Sequence, residues 1–264
     1  MHARTWRYVA IAAAAALTAC RGTFRVSQFP SNESLYAAGV REFERKHWGN
    51  AITAFEKLTT DLPARDTLLP RSFWMLAHAH ARQKEHLLAA QSFTRLFESF
   101  PDDTLADDAA LEAGRSYRRM WRKPSLDPTY GETALTAFNA LLGLYPDSEH
   151  AEQARREIAE LEEWFATKNY ETGVYYFRRK MYDSGLIYFN DVLERWPHVP
   201  RARDALLRIA ESNRAIRYHE DYAETCTKLR QQYPGDREVA EVCRGAPVRV
   251  PADSTARVKP VPGE

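Results

Sequence analysis

The sequence predicts an all-α fold, an α-solenoid of about five helix pairs. Three observations support this prediction. Apolar residues recur every three or four positions through most of the chain, which is the spacing of one buried helix face. Prolines stand almost only between these segments, where a helix has to end. A pattern that ends in proline also returns five times along the chain.

The recurring pattern is a small residue, a Phe four positions later, and a Pro that closes the segment. Its copies are AITAFEKLTTDLP, AAQSFTRLFESFP, ALTAFNALLGLYP, GLIYFNDVLERWP and YAETCTKLRQQYP. It is typical of the second helix of a tetratricopeptide repeat, in which two antiparallel helices form each unit. The small residue lets the helices approach closely, and the Phe fills the seam between them. In the last copy Tyr222 and Cys226 replace both residues, as is common in a repeat that caps a stack.

First helices precede the five copies and carry their own close-contact residues, which are Gly39, Ala77, Gly114, Gly173 and Ala210. We therefore place repeats one to three at residues 32–146, with an insertion at 121–132. Residues 147–165 form a connecting helix that runs without proline into repeat four. Repeats four and five and a C-terminal cap occupy residues 166–245.

The N-terminus has the layout of a secretory signal peptide, with Arg4 and Arg7 before a short apolar stretch. The segment ends in LTAC (17–20), which resembles the lipobox of bacterial lipoproteins. We expect residues 1–19 to be removed and Cys20 to carry lipid. The alternative is a signal peptide that merely ends near a cysteine. Arg21 follows the cysteine, where enteric lipoproteins kept at the inner membrane carry Asp, so we expect a lipid-anchored protein of the outer membrane that faces the periplasm.

Charge and composition exclude some partners. Removing residues 1–19 changes the formal charge from +1 to −1, so nothing predicts binding to nucleic acid. Residues 20–31 have no periodicity and are predicted to be the acylated Cys and a flexible tether. Residues 246–264 hold four prolines and few apolar anchors, so they are predicted to be a disordered tail.

The chain resembles the BamD family of outer-membrane protein assembly lipoproteins over roughly residues 17–240. The resemblance rests on the lipobox, on NAITAFEKL, on LDPTYGETALTAFNALLGLYPDSEHAEQAR and on YYFRRKMYDSGLIYFNDVLERWP. It implies a β-barrel assembly subunit of the BamA type, other lipoproteins of that complex and unfolded outer-membrane proteins as partners. The family commonly has an Arg in the second helix of unit four that is associated with docking. Here Tyr188 stands at that position.

No catalytic motif is present, so the sequence predicts neither an enzyme nor a cofactor nor a metal site. His78 and His80 are two residues apart on a helix, where they point in different directions; we expect them on the helix surface. Cys226 and Cys243 are either a disulfide that ties the cap to the stack or two buried thiols.

Function is then expected on surfaces. First helices line the groove of a tetratricopeptide stack, and aromatic residues beside arginines suit a peptide that ends in an aromatic residue and a free carboxylate. The alternative is that these are ordinary helix-surface residues. The predicted groove residues are Tyr36, Phe43, Arg71, Trp74, His78, Arg82, Arg115, Arg118 and Arg119.

The predicted function is a non-enzymatic component of the β-barrel assembly machinery. Its front half would bind unfolded barrel substrates and its back half, through the region of Tyr188, would dock onto the barrel-inserting subunit. This division follows from the resemblance. The alternative function is a periplasmic tetratricopeptide scaffold lipoprotein for cell-wall synthesis or pilus assembly.

Overall fold

The computed structural model describes residues 24–247, which form eleven α-helices and one short 3-10 helix, with no strand in this range. The helices are α1 (Asn32–Glu44), α2 (Trp48–Asp61), α3 (Leu68–Arg82), α4 (His86–Ser99), α5 (Ala106–Arg118), α6 (Thr129–Leu144), α7 (Ala151–Arg178), α8 (Tyr182–Arg195), α9 (Pro200–Ala215), α10 (His219–Gln232) and α11 (Arg237–Val242). The predicted all-α class of tetratricopeptide-like helix pairs is confirmed. Contacts among Cα atoms divide the chain after Ser116 into two compact units.

The two helices of a pair are joined by the same tight turn in four of the five pairs. Lys46, Lys84, Lys180 and Arg217 each adopt a left-handed backbone conformation, with φ between 61° and 66°. Each is followed by an amide that donates back across the end of the helix, such as His47 N to Glu42 O at 2.9 Å. This geometry is a Schellman motif, which satisfies carbonyl groups that the helix end would leave without donors.

In the first unit, α1 packs on α2, α2 on α3 and α3 on α4. The predicted pattern explains this core. Ala51 and Phe55 of α2 are fully buried, as are Ala89 and Phe93 of α4. The small residues allow neighbouring helices to approach, and the Phe rings fill the space between them.

The segment before α1 differs from the flexible tether predicted for residues 20–31. Residues 26–28 form the short 3-10 helix, and Phe24, Val26 and Phe29 pack against the core of the first unit. The rings of Phe24 and Phe29 lie 5.4 Å apart. Three apolar side chains in a short stretch gain enough by burial to hold the segment against the core. Cys20 and the rest of the predicted tether lie outside the described residues.

The second unit begins with the predicted insertion, which surrounds a buried tryptophan. Trp121 is 2% exposed, and its ring lies 4.7 Å from that of Phe165 and 5.4 Å from that of Trp164 on α7. A Cβ atom on Gly131 of α6 would lie 2.2 Å from this indole. Glycine at 131 is therefore needed where α6 passes over Trp121.

The predicted connecting helix and the first helix of pair four form one continuous helix, the 28-residue α7. Its first half packs against α6 and its second half against α8 and α9. Leu161, Phe165, Ala166 and Gly173 are buried along its length. The long helix predicted between repeats three and four is thus confirmed.

The last helix pair carries a cap. The sulfur atoms of Cys226 on α10 and Cys243 after α11 form a disulfide. Tyr222, at the position where earlier pairs have a small residue, donates its hydroxyl to Val242 O at 2.8 Å. The buried cluster extends to Ala246, so the ordered cap reaches one residue into the predicted tail. Residues 248–264 lie outside the described part of the chain.

Candidate functional site: an aromatic and basic face of the first unit

One face of α3 carries alternating basic and aromatic side chains. Arg71, Trp74, His78 and Arg82 follow one another at helical spacing, so they share a face. Both arginines are exposed, whereas Trp74 and His78 are half-buried. Both rings pack on Phe93 of α4, with ring centroids 5.4 Å and 5.1 Å away. The buried Phe93 thus fixes the two rings between the arginines.

Tyr36 of α1 joins this face beside Arg71. Its ring packs edge-on against Phe55, with centroids 5.7 Å apart. Burial raises the pKa of the Tyr36 hydroxyl above its ordinary value, and the positive charge of Arg71 partly offsets that shift. The charge of Arg71 therefore acts on the phenol of Tyr36 at this end of the face.

His78 lies further along the face, before Arg82, and the pKa of its imidazole is lowered. Burial lowers the pKa of its imidazole, and the charge of Arg82 lowers it further. The carboxylates of Glu112 and Asp108 act in the opposite direction. The ring of His78 meets that of Trp74 edge-on, with centroids 4.4 Å apart. A neutral imidazole at pH 7 can both donate and accept one hydrogen bond.

Two acidic residues lie beside His78 and were not predicted from the sequence to belong to this face. Asp108 and Glu112 are half-buried on α5. Glu112 accepts from Arg115 at 2.7 Å. The helix spacing could have predicted them, because residues 108, 112 and 115 share one helix face and Arg115 was a predicted groove residue. The face is therefore basic at the Arg71 end and of mixed charge at the His78 end.

Three predicted groove residues lie elsewhere or are engaged. Phe43 packs edge-on against Trp48 of α2, with centroids 4.8 Å apart, and belongs to the margin of the core. Arg118 belongs to the second unit, where its guanidinium pairs with Glu157 and Glu160 of α7. Arg119 is exposed just after α5.

A second exposed face surrounds Tyr188 in the second unit. Its ring stacks on Tyr176 of α7 with centroids 5.5 Å apart and an interplanar angle of 9°. Tyr175 meets Tyr176 edge-on, and the Arg179 guanidinium lies 3.5 Å from the Tyr175 ring centroid. Ile187 is 68% exposed next to Tyr188. We call Tyr175, Tyr176, Arg179, Ile187 and Tyr188 the tyrosine face. Of these residues, only Tyr188 was predicted from the sequence.

The surface position predicted for both histidines is wrong for His80. It is 5% exposed, and its Nδ1 atom lies 2.7 Å from Glu85 Oε2. Burial is possible because the carboxylate at the start of α4 satisfies the ring. Within residues 24–247 no three His, Cys, Asp or Glu side chains gather in a group that could hold a metal ion.

Residues 30–229 match the protein family described as YfiO, outer membrane lipoprotein. The chain belongs to this family. It is 24% identical over 239 residues to the outer membrane protein assembly factor BamD of Caulobacter vibrioides, a match covering 89% of this chain and 78% of that protein. It is 23% identical over 190 residues to BamD of Xylella fastidiosa, covering 68% of this chain and 64% of that protein. The chain therefore spans less than two thirds of the Xylella protein.

Solved structures of other repeat proteins resemble the chain more distantly. A TPR repeats protein from Bacteroides fragilis is 12% identical, with a TM-score of 0.46 over 80% of this chain and 96% of that one. The TPR domain of P58(IPK) is 14% identical, with a TM-score of 0.43, and the match covers 80% of this chain and 54% of that one. In the described part of the chain, each helix is too short or too polar to cross a bilayer.

Proposed function

We propose that this protein is a non-enzymatic lipoprotein of the outer-membrane β-barrel assembly machinery. The observation that carries the proposal is the family match over residues 30–229, together with relatives named as outer membrane protein assembly factors. Cys20 is the proposed lipid attachment site, with the protein on the periplasmic face of the outer membrane. We propose no catalysis, since the surfaces described above are suited to binding polypeptides.

The face on α3 is the proposed substrate site. Its preferred ligand is an unfolded barrel segment that ends in an aromatic residue and a free carboxylate. The exposed Arg71 guanidinium beside Tyr36 supports a bidentate pair with that carboxylate. Trp74 and His78 offer ring edges to the terminal aromatic side chain. Because Glu112 and Asp108 lie at the His78 end, the carboxylate is expected at the Arg71 end.

A peptide-binding experiment tests this site. The probe is a fluorescent ten-residue peptide ending in phenylalanine, made with a free carboxylate or as the amide. We expect the Arg71→Ala variant to bind the carboxylate form about tenfold more weakly, and the amide with unchanged affinity, because a charge-assisted pair contributes ~1.5–3 kcal/mol. Arg95→Ala on α4 is the matched control, an exposed arginine away from the face. Equal affinity of the wild type for both peptides would contradict carboxylate recognition.

The tyrosine face is the proposed docking surface for the barrel-inserting subunit. Stacked and half-exposed tyrosines are typical of interface anchors, because they bury much apolar area at low entropic cost. Arg179 brings a guanidinium to this face, although the Arg usual in the family at the position of Tyr188 is missing. We expect Tyr188→Ala and Tyr175→Ala to weaken association by about tenfold each. Leu144→Ala, at an exposed apolar position on α6, serves as the control.

Affinity purification from envelope fractions, followed by mass spectrometry, tests the function as a whole. We expect a large outer-membrane β-barrel protein with periplasmic domains as the main partner, and its loss from the Tyr188→Ala sample. If cell-wall synthases or pilus components co-purify in its place, the assembly function is wrong and the scaffold alternative replaces it.

A further inference from the structure

A groove of about 360 Å³ opens in the second unit between α8, α9 and α10. Its floor includes Ile209 and Asn213 of α9, which are 5% and 4% exposed. Tyr218 and Asp221 line one side, at the start of α10. This groove is separate from the tyrosine face and has no role in the function proposed above.

The groove lies where three of the other helix pairs form a side-chain contact between their two helices. Three residues after the close-contact residue, the first helix carries a side chain that meets the following helix. In the first pair, the Glu42 carboxylate accepts from the side-chain amide of Asn50 at 2.6 Å, and it lies 2.9 Å from Nδ1 of His47. In the second pair, Nδ1 of His80 lies 2.7 Å from the Glu85 carboxylate. In the fourth pair, the ring of Tyr176 stacks on that of Tyr188. In the last pair this residue is Asn213. Its side chain is shorter than those of His80 and Tyr176, so the space is left open.

Asn213 has the surroundings of its counterparts but not their bonds. Its carbonyl oxygen accepts from Tyr218 N at 2.9 Å, as expected of the turn. Tyr218 and Asp221 stand five and eight residues after Asn213, the spacings at which His47 and Asn50 follow Glu42. The Asn213 side chain forms no hydrogen bond within residues 24–247, and its amide opens onto the groove. A ligand in the groove can therefore hydrogen-bond to this amide.

The charges of the groove select the ligand. Glu224 and Lys228 form a pair with 2.8 Å between their charged atoms, which leaves the carboxylate of Asp221 as the net charge of the lining. Tyr218 is 50% exposed and offers the face of its ring. A carboxylate, an amide oxygen and an aromatic face together match a guanidinium, which donates in a plane and stacks on aromatic rings.

We propose that this groove binds an arginine side chain of a partner polypeptide. The guanidinium would donate to Asp221 and to the amide oxygen of Asn213, and would stack on Tyr218. Its aliphatic stem would lie over Ile209. The assembly function does not depend on this site, so failure of the proposal would leave that function unchanged.

The test is an NMR titration of the isotope-labelled full-length protein with N-acetyl-arginine methylamide. The matched probes are the lysine and citrulline analogues, which change the shape or remove the charge. We expect saturable shifts of the Asn213 side-chain amide and of the Thr225 backbone amide with the arginine probe. The expected Kd is on the order of 1 mM, which is typical of a single anchoring side chain.

Two variants show whether the site acts as proposed. Asp221→Asn, at an exposed position, is expected to raise the Kd about tenfold, because it removes the charged acceptor. Asp183→Asn, in the first turn of α8 and outside the groove lining, is expected to leave the Kd unchanged. The proposal is overturned if the arginine probe causes no shift or if citrulline binds equally well. Equal binding of the lysine probe would overturn the assignment to arginine.

Discussion

Gly173 shows at the scale of one residue how closely the helices of a pair approach. A Cβ atom at this position would lie 2.5 Å from Cε1 of Phe189 on α8. Phe189 is fully buried, so its ring cannot move aside without displacing its neighbours. The small residue in the first helix and the Phe in the second are therefore one packing unit, as the sequence pattern predicted.

We expect Gly173→Ala to destabilise the protein by about 1–3 kcal/mol, because the added methyl group overpacks the seam. Gly143→Ala is the matched control. Gly143 is also in a helix, but its Cβ atom would meet no atom within 4 Å. There alanine should stabilise by up to about 1 kcal/mol through helix propensity. Urea unfolding of both variants measures this difference, and equal effects at the two positions would contradict the packing argument.

The sequence predicted the packing of helices better than it predicted the polar contacts. Alanine and phenylalanine spacing located the seams because packing depends on size and periodicity. The burial of His80 was missed because it depends on one carboxylate five residues away, and no periodic signal reports such a pair. The same holds for Asp108 and Glu112 beside His78, which are brought there by the approach of α3 and α5.

At the scale of elements, the four left-handed turns contain basic residues where glycine is usually favoured. A side chain in this conformation costs roughly 1–2 kcal/mol. We therefore expect Lys84→Gly to raise the free energy of unfolding by up to about 1 kcal/mol. Lys57→Gly inside α2 should lower it by about 1 kcal/mol. Thermal denaturation shows whether the two substitutions change the stability in opposite directions, as predicted. If both substitutions destabilise the protein, the Lys84 side chain makes a stabilising contact.

The disulfide links α10 to the C-terminal cap across a sequence separation of 17 residues. A loop of this length restricts the unfolded chain enough to stabilise by about 3 kcal/mol. We expect reductant to lower the urea midpoint of the wild type by a corresponding amount. The double variant Cys226→Ala, Cys243→Ala should show no response to reductant. A wild-type midpoint that reductant leaves unchanged would mean that the cap holds without the covalent link.

The start of α11 should respond to acid. Arg203 donates to Asp236 at 2.9 Å and 2.7 Å, and this bond holds the pKa of that carboxyl below its ordinary value of 3.8. Because the folded-state pKa is depressed, the stabilisation is present above the unfolded value and is lost as pH falls through the folded one. Asp236→Asn should therefore lose stability at pH 7 and show a weaker acid transition. Urea unfolding between neutral and acid pH measures how the free energy of unfolding depends on pH, with Asp102→Asn as the control. If this dependence is the same for the wild type and Asp236→Asn, the predicted role of Asp236 is wrong.

On the scale of the whole molecule, the sequence was sufficient for the helix pairs, for the long α7 and for the family. It was insufficient for the segment before α1 and for the end of the C-terminal cap. Phe24, Val26 and Phe29 pack on the first unit although they show no periodicity, because a short apolar stretch can settle on any exposed part of a core. The face on α3 was predicted from residue types alone, and its charge balance needed the three-dimensional neighbours of His78.

Membrane attachment is also a property of the whole chain. The proposed membrane attachment depends on acylated Cys20. We expect Cys20→Ala to move the protein from the membrane fraction to the soluble periplasmic fraction, while its circular dichroism spectrum stays the same. Retention of this variant in membranes stripped of partner proteins by urea would contradict a lipid anchor.

The continuity of α7 limits how this protein can change in length. Each residue of a helix turns the chain by about 100°, so one residue inserted near Ile158 would rotate every later side chain of α7 away from its present partner. Phe165 and Gly173 would then leave the seams they now fill. The same insertion between Trp121 and Pro128 would lengthen an exposed turn and leave both neighbouring helices in register. Length variation among related proteins should therefore concentrate in that turn and be rare within α7.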